Sequence, residues 1–334
     1  MFSENHNLLN SLLIVVLWIN GGIMYPYFYV ENDPSSNIRF FQGISTLTIC
    51  GFMPFIILII LLYQLFKLKK EPEIKKRRKT MIEIKVFKEL AKNDNISKDA
   101  KLRINIYRKI LHVIPVVIIL FCWVFSIKIW QDVLNQNEAW GISGEMFGRF
   151  LILTIGYSAL LLFAILDYIR LSFIFKPRGE ISWLIPDPVL NFLDKSIKSN
   201  EKIEFLSPTA LILSFIPIFF LPFEIFVSAV LIATISDGLA SLIGIKFEKN
   251  VMYQKKSKIG HVAGFSSAFV IALLMIKIFN PLIECINLFI VSLIGALIFL
   301  LIDIADMKID DNILNPLFCG LFMWIAYIFI PLLF

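Results

Sequence analysis

Apolar runs long enough to cross ~30 Å of hydrocarbon recur along the whole chain, and no other feature constrains its fold as tightly. In lipid every backbone N–H and C=O must find a partner within the protein, so only helices or a closed barrel can span. The strict polar/apolar alternation of a membrane barrel is absent. The expected fold is therefore all-α, a polytopic membrane helix bundle of about nine transmembrane helices. Its spans are expected near 9–30, 44–66, 110–130, 148–169, 206–222, 224–245, 262–280, 282–302 and 313–333. Composition agrees: 58% of the 334 residues are hydrophobic and 17% charged, against about 25% charged in soluble domains. No stretch between the runs is long enough for a separate soluble domain. Met1 to Asn10 carries no basic segment, so the first run is expected as a retained span rather than a cleaved signal. Cys50, Cys122, Cys285 and Cys319 sit singly inside apolar runs and are expected as small buried hydrophobes.

Orientation follows from charge. Nine spans divide the connections into two sets, and 67–109, 170–205, 246–260 and 303–312 form one of them. They hold 16, 6, 5 and 1 Lys/Arg, which is 28 of the 32; the other set keeps Arg39, Lys128, Arg149 and Lys277. This bias puts the rich set in the cytosol. The chain divides into a two-span hairpin (1–66), a basic loop (67–107) and a seven-span core (108–334). The loop's densest run, Lys75-Lys76-Arg77-Arg78-Lys79, either stays solvated and fixes topology or contacts anionic lipid, with 67–103 as the contact region. A loop tethered at both ends is not expected to bind nucleic acid.

Ionisable groups in or beside spans are costly and tend to be functional. Five such groupings fall on the basic-rich side. Arg108, Lys109 and His112 are spaced to share a helical face, where two cations and an imidazole can grip phosphate. Asp167 and Arg170, three apart, can pair. Asp237 lies inside an apolar run, where a lone carboxylate needs a metal ion, a cation or water; with Ala240, Ser241 and Gly244 it forms a small-residue face that a helix or a ligand can approach. Lys255, Lys256, Ser257 and Gly260 precede the seventh span, where cations, a hydroxyl and a helix start suit an anion; no P-loop precedes them. Asp310, Asp311 and Asn312, followed by Pro316, offer hard oxygen ligands of the kind Mg²⁺ prefers.

In order and spacing these residues resemble the CTP-dependent membrane lipid kinases: dolichol kinase, phytol kinase and the CTP-using diacylglycerol kinases. The resemblance runs from about Arg108 to Pro316. It is carried by Arg-Lys-x-x-His (Arg108, Lys109, His112), acidic-x-x-Arg (Asp167, Arg170) and Asp-x-x-Ala-Ser-x-x-Gly (Asp237, Ala240, Ser241, Gly244). Lys-Lys-Ser-x-x-Gly (Lys255, Lys256, Ser257, Gly260) and Asp-Asn…Pro (Asp311, Asn312, Pro316) complete it. Ile259 stands where the family commonly has Glu, and Ser236 where Gly is frequent. The stretch from Asp194 to Pro222, with Glu201 and Glu204, resembles dolichol kinase most.

The resemblance implies transfer of the terminal phosphate of CTP to the hydroxyl of a membrane polyprenol, at the cytosolic face of the endoplasmic reticulum or plasma membrane. Asp237, Asp311 and His112 would be catalytic, and Asp237, Asp310 and Asp311 would hold Mg²⁺. Lys255, Lys256, Ser257, Gly260, Arg108, Lys109 and Ser241 would bind the nucleotide. The alternatives are phytol, geranylgeraniol or diacylglycerol as acceptor, a cytidylyltransferase that forms CDP-lipid, and a membrane protein without enzymatic activity.

Overall fold

The computed structural model describes residues 8–25, 36–78, 98–175, 184–189, 205, 207–247, 257–305, 307 and 309–330, the side chains of 36, 98–104, 170 and 172–175 excepted. Among these residues there is no strand, and the chain is an all-α polytopic membrane protein. Its helices are α1 (Leu8–Met24), α2 (Ser36–Leu47), α3 (Met53–Lys70), α4 (Lys98–Val124), α5 (Gln136–Trp140) and α6 (Gly144–Phe175). After them come α7 (Ser207–Ile218), α8 (Phe223–Leu231), α9 (Asp237–Phe247), α10 (Lys258–Phe279), α11 (Cys285–Ala305) and α12 (Asp311–Phe329). Wider π turns join α2 to α3 (Thr48–Phe52), end α4 (Phe125–Gln131) and join α8 to α9 (Ile232–Ser236).

Seven helical stretches among the described residues are long and apolar enough to cross a membrane: Asn37–Lys70, Asn105–Gln131, Gly144–Ile169, Phe223–Phe247, Lys258–Phe279, Cys285–Ala305 and Asp311–Phe329. The other two expected spans are shorter helices. α1 has 17 residues, and α7, expected over 206–222, has 12. At 1.5 Å per residue α7 is about 18 Å long, less than the hydrocarbon thickness. It stops at Ile218 because the chain turns at 219–221 and Pro222, extended at ψ 139°, starts α8.

The chain forms two compact units. One takes in 1–6, 29–96 and 118–209; the other takes in 7–28, 97–117 and 210–334. In the first, Gln131 at the π turn accepts from the Gly144 amide (2.6 Å), and Trp130 stacks on Phe147 at 4.3 Å. Asn37 donates to the Trp140 carbonyl, and Phe41 packs edge-on against Trp140, Phe147 and Phe150. An aromatic cluster of this kind suits the lipid–water boundary.

At the other end of that unit, α3 leaves the apolar region through Lys67, Lys69 and Lys70, and residues 72–78 are again helical. Leu68, Ile169, Leu184 and Ile185 form a small core there, with Ile74 against it. Arg78 does not share the solvated character expected of the basic run. It is 1% exposed and gives two hydrogen bonds to Asp187 (2.8 and 3.0 Å) and one to Gln64 (3.3 Å). The planar fork of arginine matches a carboxylate in this way, whereas Lys76 and Arg77 stay exposed.

The second unit is centred on α8, whose residues Phe223 and Ile225–Leu231 are all buried. A helix apolar on every side belongs in the interior. α10, α11 and α12 pack in sequence, with α8 against α10 and α12 and α9 against α10. Lipid tails are as apolar as leucine, so close van der Waals approach has to hold these helices together. The sequence supplies that through small residues four apart: Gly260, Gly264, Ala268 and Ala272 are the buried stripe of α10. Polar locks supplement it. Tyr327 donates to Glu224 (2.8 Å) and accepts from Asn280 (2.7 Å). Pro316 has no N–H for the Asn312 carbonyl, and Ser214 of α7 donates to that oxygen (3.1 Å).

Candidate functional site

The polar residues that come together lie in the second unit. α4 enters it with Arg108, Lys109 and His112 on one face, at 8%, 5% and 0% exposure. Neighbouring Ile110 is 53% exposed, so the face predicted from spacing is the one turned inward. A snorkelling flank would leave the cations at the surface; here they are inside.

Their counterpart is Asp237. The π turn Ile232–Ser236 ends at this residue, whose amide bonds back to Ile232 and Thr234. A π turn inside an α-helix shifts the phase of the next helical segment and is frequent at functional sites. Asp237, 6% exposed, forms an ion pair with the Lys109 ammonium, and the Lys109 stem lies along Gly238. A cation thus meets the buried carboxylate, one of the solutions its position demanded.

The small-residue face beyond Asp237 is taken by a helix. A Cβ on Gly260 would stand 2.7 Å from the Ala240 carbonyl and 3.3 Å from the Gly244 Cα. A Cβ on Gly264 would stand 2.9 Å from the Ala240 side chain and 2.6 Å from Phe299. Ala240 and Gly244 therefore seat α10 against α9. The Ser241 hydroxyl turns back to the Gly238 carbonyl at 3.4 Å. Ser257 caps α10, its hydroxyl accepting from the Gly260 amide (3.1 Å). Lys255 and Lys256 lie outside the described residues.

Asp310 caps α12: its Oδ1 accepts from the Asn312 amide (3.0 Å) and from the Asn312 side chain (2.6 Å). Its own N–H donates to Asn10 of α1. Asp311 comes next, in the first turn, partly exposed. Among the described residues no three His, Cys, Asp or Glu side chains gather as metal ligands. A protein-only cage is therefore not formed by Asp237, Asp310 and Asp311. A divalent ion held by one or two carboxylates and by substrate phosphates needs no such cage, and the donors present fit that mode.

Asp167, in the first unit, is 1% exposed and accepts from the Thr209 hydroxyl (2.8 Å); the Arg170 side chain lies outside the described residues. One arrangement was not anticipated from the sequence. His261 Nδ1 lies 2.6 Å from Asp303 Oδ2, joining the first turn of α10 to the end of α11. The available signal was an acid closing an apolar run, Ile302-Asp303-Ile304, paired with a histidine opening the preceding one.

The fold and these buried charges define the class: a multi-pass α-helical membrane protein with ionisable groups inside its helical core. No protein-family model, curated protein or solved structure matches the chain.

Proposed function

We propose that this protein is a CTP-dependent kinase that phosphorylates the hydroxyl of a membrane polyprenol of the dolichol type, on the cytosolic side. The observation that carries the reading is the buried Lys109–Asp237 pair, flanked by Arg108 and His112. A packing bundle has no use for two cations, an imidazole and a carboxylate in one apolar interior, whereas phosphoryl transfer consists largely of positioning and charge stabilisation. The start of α10 supports the reading, because a capped helix N-terminus next to a basic segment favours an anion.

In this reading Arg108 and Lys109 hold nucleotide phosphates, together with Lys255 and Lys256. Asp237 and Asp311 hold Mg²⁺, which when bound would neutralise phosphate charge. Ser257 and Gly260 set the start of α10. The lipid hydroxyl, which sits at the interface, meets the nucleotide there.

Purified protein with γ-labelled CTP or ATP, Mg²⁺ and a panel of polyprenols, phytol, geranylgeraniol and diacylglycerol tests this. Label in a polyprenol monophosphate with CTP is the expected result. Label in another lipid changes the acceptor, and pyrophosphate release with CDP-lipid selects a cytidylyltransferase. Absence of any lipid product removes the enzymatic reading.

A further inference from the structure

We infer that His261, held by Asp303, is the general base of the proposed phosphoryl transfer. The inference rests on the kinase reading. The pair is a built dyad: Asp303 is 5% exposed, and its Oδ2 lies 2.6 Å from His261 Nδ1. A neutral imidazole donating Nδ1–H to that carboxylate keeps the Nε2 lone pair available, in one tautomer and one orientation. The His261 side chain is 20% exposed, so the dyad is not sealed inside the bundle.

The other candidate bases are less suited. His112 is fully buried, and the Asp237 carboxylate, paired with Lys109 in this structure, is the one assigned to Mg²⁺ in the proposed reaction. The dyad also starts on the helix that packs against the one carrying Asp237. One turn along α9 from Asp237, Ala240 abuts Gly260, the residue before His261. Ser257, the α10 cap, is one turn before His261, whose amide bonds to the Ser257 carbonyl.

In the step, Nε2 accepts the proton of the lipid hydroxyl as the lipid oxygen forms a bond to the γ-phosphorus. The bond from that phosphorus to the β–γ bridging oxygen breaks, and its electron pair leaves on CDP. The imidazolium then returns its proton to water. Asp303 is a positioning residue: it fixes the ring and touches no substrate.

The test compares wild type, H261Q, H261A, D303N and D303E in the γ-labelled assay, with thermal unfolding in detergent for each. Glutamine can still hydrogen-bond Asp303 but cannot accept the proton. H261Q and H261A are expected to lose about 100-fold in kcat, with KM for CTP and lipid within about threefold of wild type. Added imidazole should restore about tenfold to H261A, which filling a structural gap would not do. D303N should lose about tenfold in kcat, and D303E should recover most of it. Wild-type kcat in H261Q overturns the inference, as does a loss in H261A that tracks unfolding and resists imidazole. If wild type labels no lipid at all, the kinase reading falls and the base falls with it, so the two failures are distinct.

Discussion

Lys109 of α4 and Asp237 of α9 form an ion pair in which each residue is less than a tenth exposed, 128 positions apart in the chain. Removing either partner leaves its opposite uncompensated, at about 3–5 kcal/mol, whereas replacing both by apolar residues is close to neutral. K109M and D237L are each expected to destabilise the protein by that amount, and K109M/D237L to recover most of it. Thermal unfolding of the four proteins in one detergent reads the coupling; a coupling below about 0.5 kcal/mol contradicts the pair. All three variants should lose the proposed kinase activity, the double variant while folded.

The contact of α9 with α10 predicts a cost for added methyl groups. G260A places a carbon 2.7 Å from a backbone carbonyl, and G264A places one 2.6 Å from Phe299. The first meets backbone and the second meets both the ring and the Ala240 Cβ at 2.9 Å, so G260A and G264A should each cost about 1–3 kcal/mol. Gly156, in α6 with nothing within 4 Å, is the control: G156A should be neutral or gain up to about 1 kcal/mol. Melting midpoints separate the two from the control.

Arg78 and Asp187 predict an asymmetry. Asp187 keeps 32% of its side chain exposed and can be rehydrated, while Arg78 has 1%. R78A should therefore cost about 1–3 kcal/mol, and D187A, which strips the carboxylate from a buried guanidinium, about 3–5 kcal/mol. Equal losses would contradict the account.

The same pair sets an acid response. The Arg78 hydrogen bond, with the charges of Arg78, Arg77 and Lys67 adding to it against partial burial, holds the Asp187 carboxyl below the usual carboxylate range. A depressed folded-state value contributes stability above the unfolded pKa of about 3.9, and the contribution disappears as pH falls through the folded value. Wild type should lose stability as pH falls from about 5 through the depressed folded value, more steeply than R78A. Parallel curves for the two would refute the assignment.

The α10 cap gives a smaller effect. Ser257 accepts from the Gly260 amide, so S257A should lower stability by about 1 kcal/mol and S257D should retain it. Unfolding midpoints decide between these outcomes.

Part of the candidate site could be read in the chain because its logic is local. Spacing alone put Arg108, Lys109 and His112 on one face, and the isolation of Asp237 in an apolar run demanded a metal ion, a cation or water. Gly260, Gly264, Ala268 and Ala272 repeat every fourth residue, an equally local signal. The partners were not legible. Nothing local selects Lys109 for Asp237, Asp187 for Arg78, or Asp303 for His261, because each pair is separated by 42 to 128 residues.

Sequence by itself determined that these segments are helices in a membrane, since hydrocarbon tolerates neither an unpaired backbone group nor a solvated surface. It also determined which residues would be costly there. Only the tertiary structure decided how each cost is met: a lysine for Asp237, a helix for the glycine face, a cap for Asp310. Those answers depend on which helices lie side by side, and that is settled by close packing between surfaces whose sequences carry no record of one another.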